Sequence, residues 1–434
     1  MKITILKSAI PLALSLCSFT FLSLNAQAYP LDGYEDTGIR RTEGARLANE
    51  GIIRDSVRQV PGSLWSTQQV DLRLLNNKDF KVPEADPVLS KQLKNLLSGH
   101  LNEYGVAILD ITDINNPRYA SHRGDYKQNV GSVGKILVAL GMFQAMADTW
   151  PGDDAKRIDV LKNTRVIADG FSQSDHHTIR IFDIENKKLV RQTMKIGNIG
   201  SQYEYLDWML SVSSNAAASM NQRQAMLMTQ YGQDFPPSEQ EIKRFFKEAS
   251  SKEKTALYQK TFWDAETKNG LDLAQFRQGS FLTRGGKQRV NGGGNSYGTA
   301  DEILKFLLKM EKGELVDEFS SRQLKRLLYL TERRIRYASS PALKNSAVYY
   351  KSGSLYKCKK EADFKCTAYK GNVYNYMNSV AIVESSPEEG NLRYMVIVIS
   401  NVLRTNSAVE HQTLATRIHR LMQKAHPVAK QQGK

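Results

Sequence analysis

Residues 131–143 read Gly-Ser-Val-Gly-Lys-Ile-Leu-Val-Ala-Leu-Gly-Met-Phe. Leu137, Val138, Leu140, Met142 and Phe143 leave almost no polar side, so the stretch predicts a helix meant for the inside of a protein. Yet it opens with Ser132 and, three positions on, Lys135. Residues three apart share a helical face, so the two side chains can meet on the first turn. Burying an ammonium is costly unless it is paired or its pKa is shifted. This end of the helix therefore reaches a surface or lines a site. The chemistry available to a site is specific. Desolvation and the positive helix end both disfavour the charged lysine, and a neutral lysine can take the proton that makes a serine nucleophilic. The backbone N–H groups there favour a developing oxyanion.

Ser-x-x-Lys is weak evidence alone, and the chain contains it three times. Ser251/Lys254 lies in a solvated run. Ser354/Lys357 falls on a predicted strand, where positions three apart face opposite sides. Only Ser132/Lys135 opens an apolar helix.

Working outward, Pro87 to Glu103 has helical spacing. Tyr104 to Ile111 and Arg118 to His122 read as strands joined by an Asn-Asn-Pro turn. Residues from about 145 to 340 are mostly helical, with Trp208 to Met228 and Ser238 to Phe262 the clearest helices. A small hairpin is expected within 170–195. Thr299 caps a helix ahead of Asp301 and Glu302. Strands return at Ala347 to Leu355, Val373 to Glu384 and Tyr394 to Leu403, and Asn406 to Gln423 closes as a helix. Short turns between consecutive strands imply antiparallel pairing. The expected fold is α+β: a five-stranded antiparallel sheet flanked by helices from both ends, plus an all-helical lobe.

The first 28 residues read as a secretory signal peptide: a basic start, an apolar run and Ala26-Gln27-Ala28 before the cleavage point. The apolar run is too short and broken for a good membrane span, and no other segment spans. The expected location is secreted, most simply periplasmic. Residues 29–85 are polar and irregular, read as an N-terminal extension lying on the main domain. That domain covers 86–434, with a sheet lobe of 86–130 and 345–425 and a helical lobe of about 131–344. The net charge of +15 suits an anionic surface such as cell wall, or serves solubility alone. No nucleic-acid motif is present. Cys358 and Cys366 stand eight positions apart in a polar segment, and an exported protein would bridge them. No histidine lies nearby, so a metal there is not expected, and no cofactor is called for. His176-His177 reads as solvated loop.

Two further groups carry chemistry. Ser213 and Asn215 place a hydroxyl and an amide two apart before a small-residue helix. Asn215 can hold a substrate amide and Ser213 can pass a proton to a leaving nitrogen, although a plain helix cap gives the same pattern. Lys351-Ser352-Gly353-Ser354 lies on a strand. Gly353 marks close approach of a backbone or ligand, and Lys351 can reach a substrate carboxylate on a chain held along the strand edge.

Ser-x-x-Lys, Ser-x-Asn and Lys-Ser-Gly in this order resemble the serine β-lactamase and penicillin-binding-protein superfamily, over roughly residues 87–425. Strand and helix order resembles the class A β-lactamase-like branch. The resemblance implies a β-lactamase/transpeptidase-like fold with Ser132 as acylated nucleophile and Lys135 as its base. It implies Ser213 and Asn215 on a second wall, and Lys351 and Ser352 binding the substrate carboxylate. The oxyanion hole would be the N–H groups of Ser132 and Ser354. One departure matters. The Glu-x-x-Leu-Asn loop that activates the deacylating water in class A enzymes is missing, Glu266-Thr267-Lys268-Asn269 being the nearest match. That favours a D,D-peptidase or related amide or ester hydrolase on peptidoglycan-like peptides. The alternatives are a β-lactamase acting on β-lactam antibiotics and a non-catalytic cell-wall-binding or sensor protein on the same fold.

Overall fold

The computed structural model describes residues 33–54, 59–332 and 334–427. The signal-like segment lies outside the described residues. Five strands form one sheet: β1 (Tyr104–Asp110), β2 (Arg118–His122), β3 (Ala347–Lys357), β4 (Tyr374–Glu384) and β5 (Arg393–Asn401). Their order is β2-β1-β5-β4-β3, every neighbour antiparallel. The fold is the expected α+β one. The strand that carries Lys351 to Ser354 is the free edge of the sheet.

The sheet is covered on both sides, and strand alternation decides which residue faces which layer. Val106, Ile108, Tyr350, Ala381, Val396 and Val398 pack with Leu89 and Leu93 of the helix Pro87–Leu96, and with Leu414, Ile418 and Met422 of Ser407–Ala425. These are the chain's two ends on one face, as expected. Ala107, Leu109, Tyr349, Val380, Ile382 and Ile397 join the opposite core. There the helices Ala300–Glu311 and Glu318–Tyr329 bring Ile303, Leu307, Leu324 and Leu328. The last helices of the 131–344 segment thus lie against the sheet as well as against other helices. Thr299 caps the first of them through its hydroxyl.

Three expectations are corrected. Trp208 to Met228 is not one helix but the end of Gln202–Leu210 and most of Asn215–Tyr231, because Ser213 takes φ 62° and ends the first. Ser238 to Phe262 likewise divides into Glu239–Glu248 and Ser251–Lys268, where Ser250 and Glu253 form a capping box. Residues 29–85 are not wholly irregular. Arg40–Asn49 is a helix, and Ile39, Val70 and Leu74 enter the core. Among the described residues, no helix is long and apolar enough to cross a membrane.

The Arg40–Asn49 helix is fastened by charge. Arg41 grips Asp207 with two guanidinium nitrogens, each 2.5 Å from a carboxylate oxygen, and both side chains are almost fully buried. Beside it Arg40 holds Glu204 in the same two-pronged way. Both carboxylates stand on Gln202–Leu210, the helix that runs into the Ser213 break. Removing one partner leaves a buried charge uncompensated, which costs about 3–5 kcal/mol. Asp207→Ala is therefore expected to lower the melting temperature by several degrees or more. An unchanged melting curve would contradict the role given to this pair.

Candidate active site

The turn Gly131–Gly134 is a 3₁₀ helix that runs into the α-helix Lys135–Thr149. Nearly all of that helix is buried, including Lys135 at 0 % exposure. Ser132, on the turn, opens into a cavity of about 750 Å³. The junction sets Lys135 Nζ 3.0 Å from Ser132 Oγ.

Three more oxygens surround that amine. Ser213 O is at 2.6 Å, Asn215 Oδ1 at 2.7 Å and Ser213 Oγ at 3.2 Å. The Ser213 carbonyl and the Asn215 amide oxygen can only accept. In its neutral form the amine has two protons for these two acceptors, which leaves its lone pair for the Ser132 hydroxyl. Burial pushes Lys135 down to about 7, against a weaker opposing pull from Asp175. The left-handed Ser213 is what aims its carbonyl and hydroxyl inward, at a backbone cost of roughly 1 kcal/mol. Ser214, not Ser213 or Asn215, caps the following helix, its hydroxyl accepting from Ala217 N–H. Capping thus does not account for the Ser213/Asn215 pattern.

Strand β3 closes the other side. Lys351 Nζ donates to Ser213 Oγ at 2.9 Å and to Ser352 O at 3.0 Å. One serine hydroxyl thus stands between two lysines. Burial, with Lys135 and Arg336 adding repulsion, pushes Lys351 well below its ordinary value. Gly353 is required by close approach: a Cβ there would meet Val130 O and lie 2.7 Å from Ser132 N. The strand edge and the Ser132 turn are thus in backbone contact, which brings Ser354 beside them. Every serine, lysine and asparagine singled out from the sequence converges here. The other two Ser-x-x-Lys pairs are not brought there as pairs: Ser251 is exposed on a helix start, and of Ser354/Lys357 on β3 only Ser354 lines the cavity.

Sequence reading misses Arg336. It precedes β3 at φ 54° and donates to Ser352 Oγ and Ser354 Oγ, each at 2.8 Å. Nothing in the Arg-Arg-Ile-Arg run separates it from its neighbours as a cleft residue. Among the described residues, none of Lys135, Lys351 and Arg336 pairs with a carboxylate, and no aspartate or glutamate lines the cavity. Glu266, the nearest match to a deacylating glutamate, is buried elsewhere. Its Oε1 accepts from Gln278 N–H, and burial raises it to about 8.

His176 and His177 are corrected: both line the cavity. Asp175, His176 and His177 bring possible ligand atoms within 4.8 Å of one another. Asp175 is committed, however. Oδ1 meets His177 Nδ1 at 2.6 Å, and Oδ2 accepts from Ser214 Oγ and Ala216 N–H. Cys358 and Cys366 are bonded, and the chain just beyond brings Ala368 and Tyr369 to the cavity mouth.

No family model and no curated protein matches the chain. Among solved structures it is similar in fold to penicillin-binding and β-lactamase proteins. PBP-A is 13 % identical at a TM-score of 0.46, covering 79 % of this chain and 100 % of that one. A β-lactamase from Chitinophaga pinensis is 14 % identical at 0.48, covering 77 % and 98 %. The TLA-3 extended-spectrum β-lactamase gives the same figures, 14 %, 0.48, 77 % and 98 %. These are likenesses of fold; the chemistry is read from the side chains.

If the neutral lysine activates Ser132, reaction of Ser132 with a fluorophosphonate should speed up as pH rises. With Lys135 titrating at about 7, the neutral fraction grows about tenfold between pH 6 and pH 8. Labelling measured across that range should follow it. A flat profile would contradict a neutral lysine base.

Proposed function

We propose that the protein is an exported serine hydrolase that forms an acyl-enzyme at Ser132. The reading is of a penicillin-binding D,D-peptidase or a related amide or ester hydrolase acting on cell-wall-like, carboxylate-bearing substrates. The observation that carries it is the amine of Lys135, fully buried and 3.0 Å from Ser132 Oγ, beside Lys351 and Arg336, which among the described residues pair with no carboxylate.

In this reading Lys135 takes the Ser132 proton as Oγ attacks the substrate carbonyl. The N–H groups of Ser132 and Ser354 receive the oxyanion. Ser213, bonded to Lys135 and Lys351, passes a proton to the leaving group. Asn215 holds a substrate amide. Lys351, Ser352 and Arg336 hold its carboxylate, with Arg336 offering the planar fork suited to it. Gly353 lets a substrate chain lie along the edge of β3. The carboxylate-free cavity favours a peptidase over a glutamate-dependent β-lactamase, because an acyl group from a β-lactam would be held for longer.

Intact-protein mass spectrometry after incubation with penicillin G tests this. The native protein should gain one adduct, mapped to Ser132, and Ser132→Ala should gain none while melting normally. Adduct formation in Ser132→Ala would refute the assignment. In steady-state hydrolysis of a carboxylate-bearing peptide or depsipeptide, Lys351→Ala should act chiefly through KM. Loss of one hydrogen bond to the substrate's carboxylate corresponds to a rise of roughly 10- to 100-fold.

A further inference from the structure

An ester on Ser132 needs a water to be deprotonated before it can leave, and no carboxylate lines the cavity to take that proton. His177 lines it instead. Asp175 Oδ1 lies 2.6 Å from His177 Nδ1. An ionised carboxylate only accepts, so Nδ1 carries the proton and Nε2 presents a free lone pair. The Asp175 side chain is 1 % exposed and that of His177 26 %: the carboxylate is anchored inside while the ring reaches the cavity. The anchor is firm, since Oδ2 accepts from Ser214 Oγ at 2.8 Å and from Ala216 N–H at 2.9 Å. These are residues of the same turn that aims Ser213 at Lys135. The His176 ring stacks on His177 at 4.3 Å and limits its rotation.

We propose that His177 is the general base of deacylation, with Asp175 as its positioning residue. The proposal rests on the reading of Ser132 as the acylated nucleophile. Water attacks the acyl carbon as His177 Nε2 takes one of its protons, and a C–O bond to water forms. The bond from that carbon to Ser132 Oγ then breaks. The proton returns to Ser132 Oγ, directly or through one water, leaving a carboxylic acid and free enzyme. No other reactant is consumed. Burial, with a contribution from Lys135, holds His177 below its ordinary value, while Asp175 pulls the other way. The ring is therefore unprotonated at neutral pH and able to accept. Separate bases for the two half-reactions, Lys135 for acylation and His177 for deacylation, follow from the arrangement.

The test follows the Ser132 adduct over time by rapid-quench mass spectrometry, with p-nitrophenyl butyrate and with penicillin G. His177→Asn should acylate within about twofold of the native rate, and its adduct should decay roughly 100-fold more slowly. Added imidazole should restore part of the decay. The unchanged acylation rate also reports that the variant is folded. Native and variant adducts of equal lifetime would overturn the proposal and leave the acyl-enzyme reading standing. Loss of acylation in the variant would overturn the assignment to deacylation. No adduct on the native protein with either probe would remove both readings together.

Discussion

A lysine amine cut off from water, with no carboxylate in contact, gives up its proton near neutrality. The rest of the site is arranged around that fact. Moving Lys135 from its ordinary 10.5 to about 7 means that holding the charge there costs roughly 5 kcal/mol more than in water. The helix Lys135–Thr149 supplies the burial, since apolar residues surround almost all of it. Two pure acceptors use up the amine's protons, and its lone pair is left for Ser132. A carboxylate in the cavity would undo this by stabilising the ammonium, which is one physical reason for its acid-free lining.

The scaffold holds three independent pieces to within a hydrogen bond of one another. The Ser132 turn comes from the start of a buried helix. The second wall comes from a break between two helices, fixed by Ser213 at φ 62° and by the Asp175 carboxylate behind Ser214. The third comes from the edge of the sheet, where a glycine lets backbone meet backbone. The N-terminal helix contributes at a distance. Through Arg40 and Arg41 it clamps the helix leading into the break. A buried cluster does the same for the sheet: Lys325 binds Glu311 and Glu384, each at 2.6 Å, and Arg73 joins Glu384. Burial raises Glu311, while Lys325 and Arg73 hold Glu384 below its usual range.

Much of this was legible in the sequence, for identifiable reasons. The β-strands are apolar runs bounded by turns, and all five fall within two residues of expectation. Ser132 and Lys135 stood out because they open an otherwise apolar helix, while Ser213, Asn215 and Lys351 were singled out only by the order of the three motifs; all five lie together around one amine. What was hidden depends on contacts distant in sequence. The Ser213 break lies inside a continuous helical pattern, and only the demand of Lys135 for a carbonyl explains it. Arg336 looks like one more basic residue until Ser352 and Ser354 are placed beside it. Asp175 and His177 sit in a polar stretch that reads as loop, and gain meaning from a helix terminus about forty residues away. The N-terminal helix has weak amphipathicity and declares itself through ion pairs that no local pattern reveals.

Activation of Ser132 depends, in the proposed mechanism, on the protonation of one amine. Nitrogen or carbon NMR of the Lys135 side chain, assigned with Lys135→Arg and followed from pH 5 to pH 11, measures it directly. A titration midpoint at about 7 is the expected result, with the neutral form already present at physiological pH. A midpoint near the ordinary 10.5 would leave Ser132 beside an ammonium, without a base, and would contradict the account.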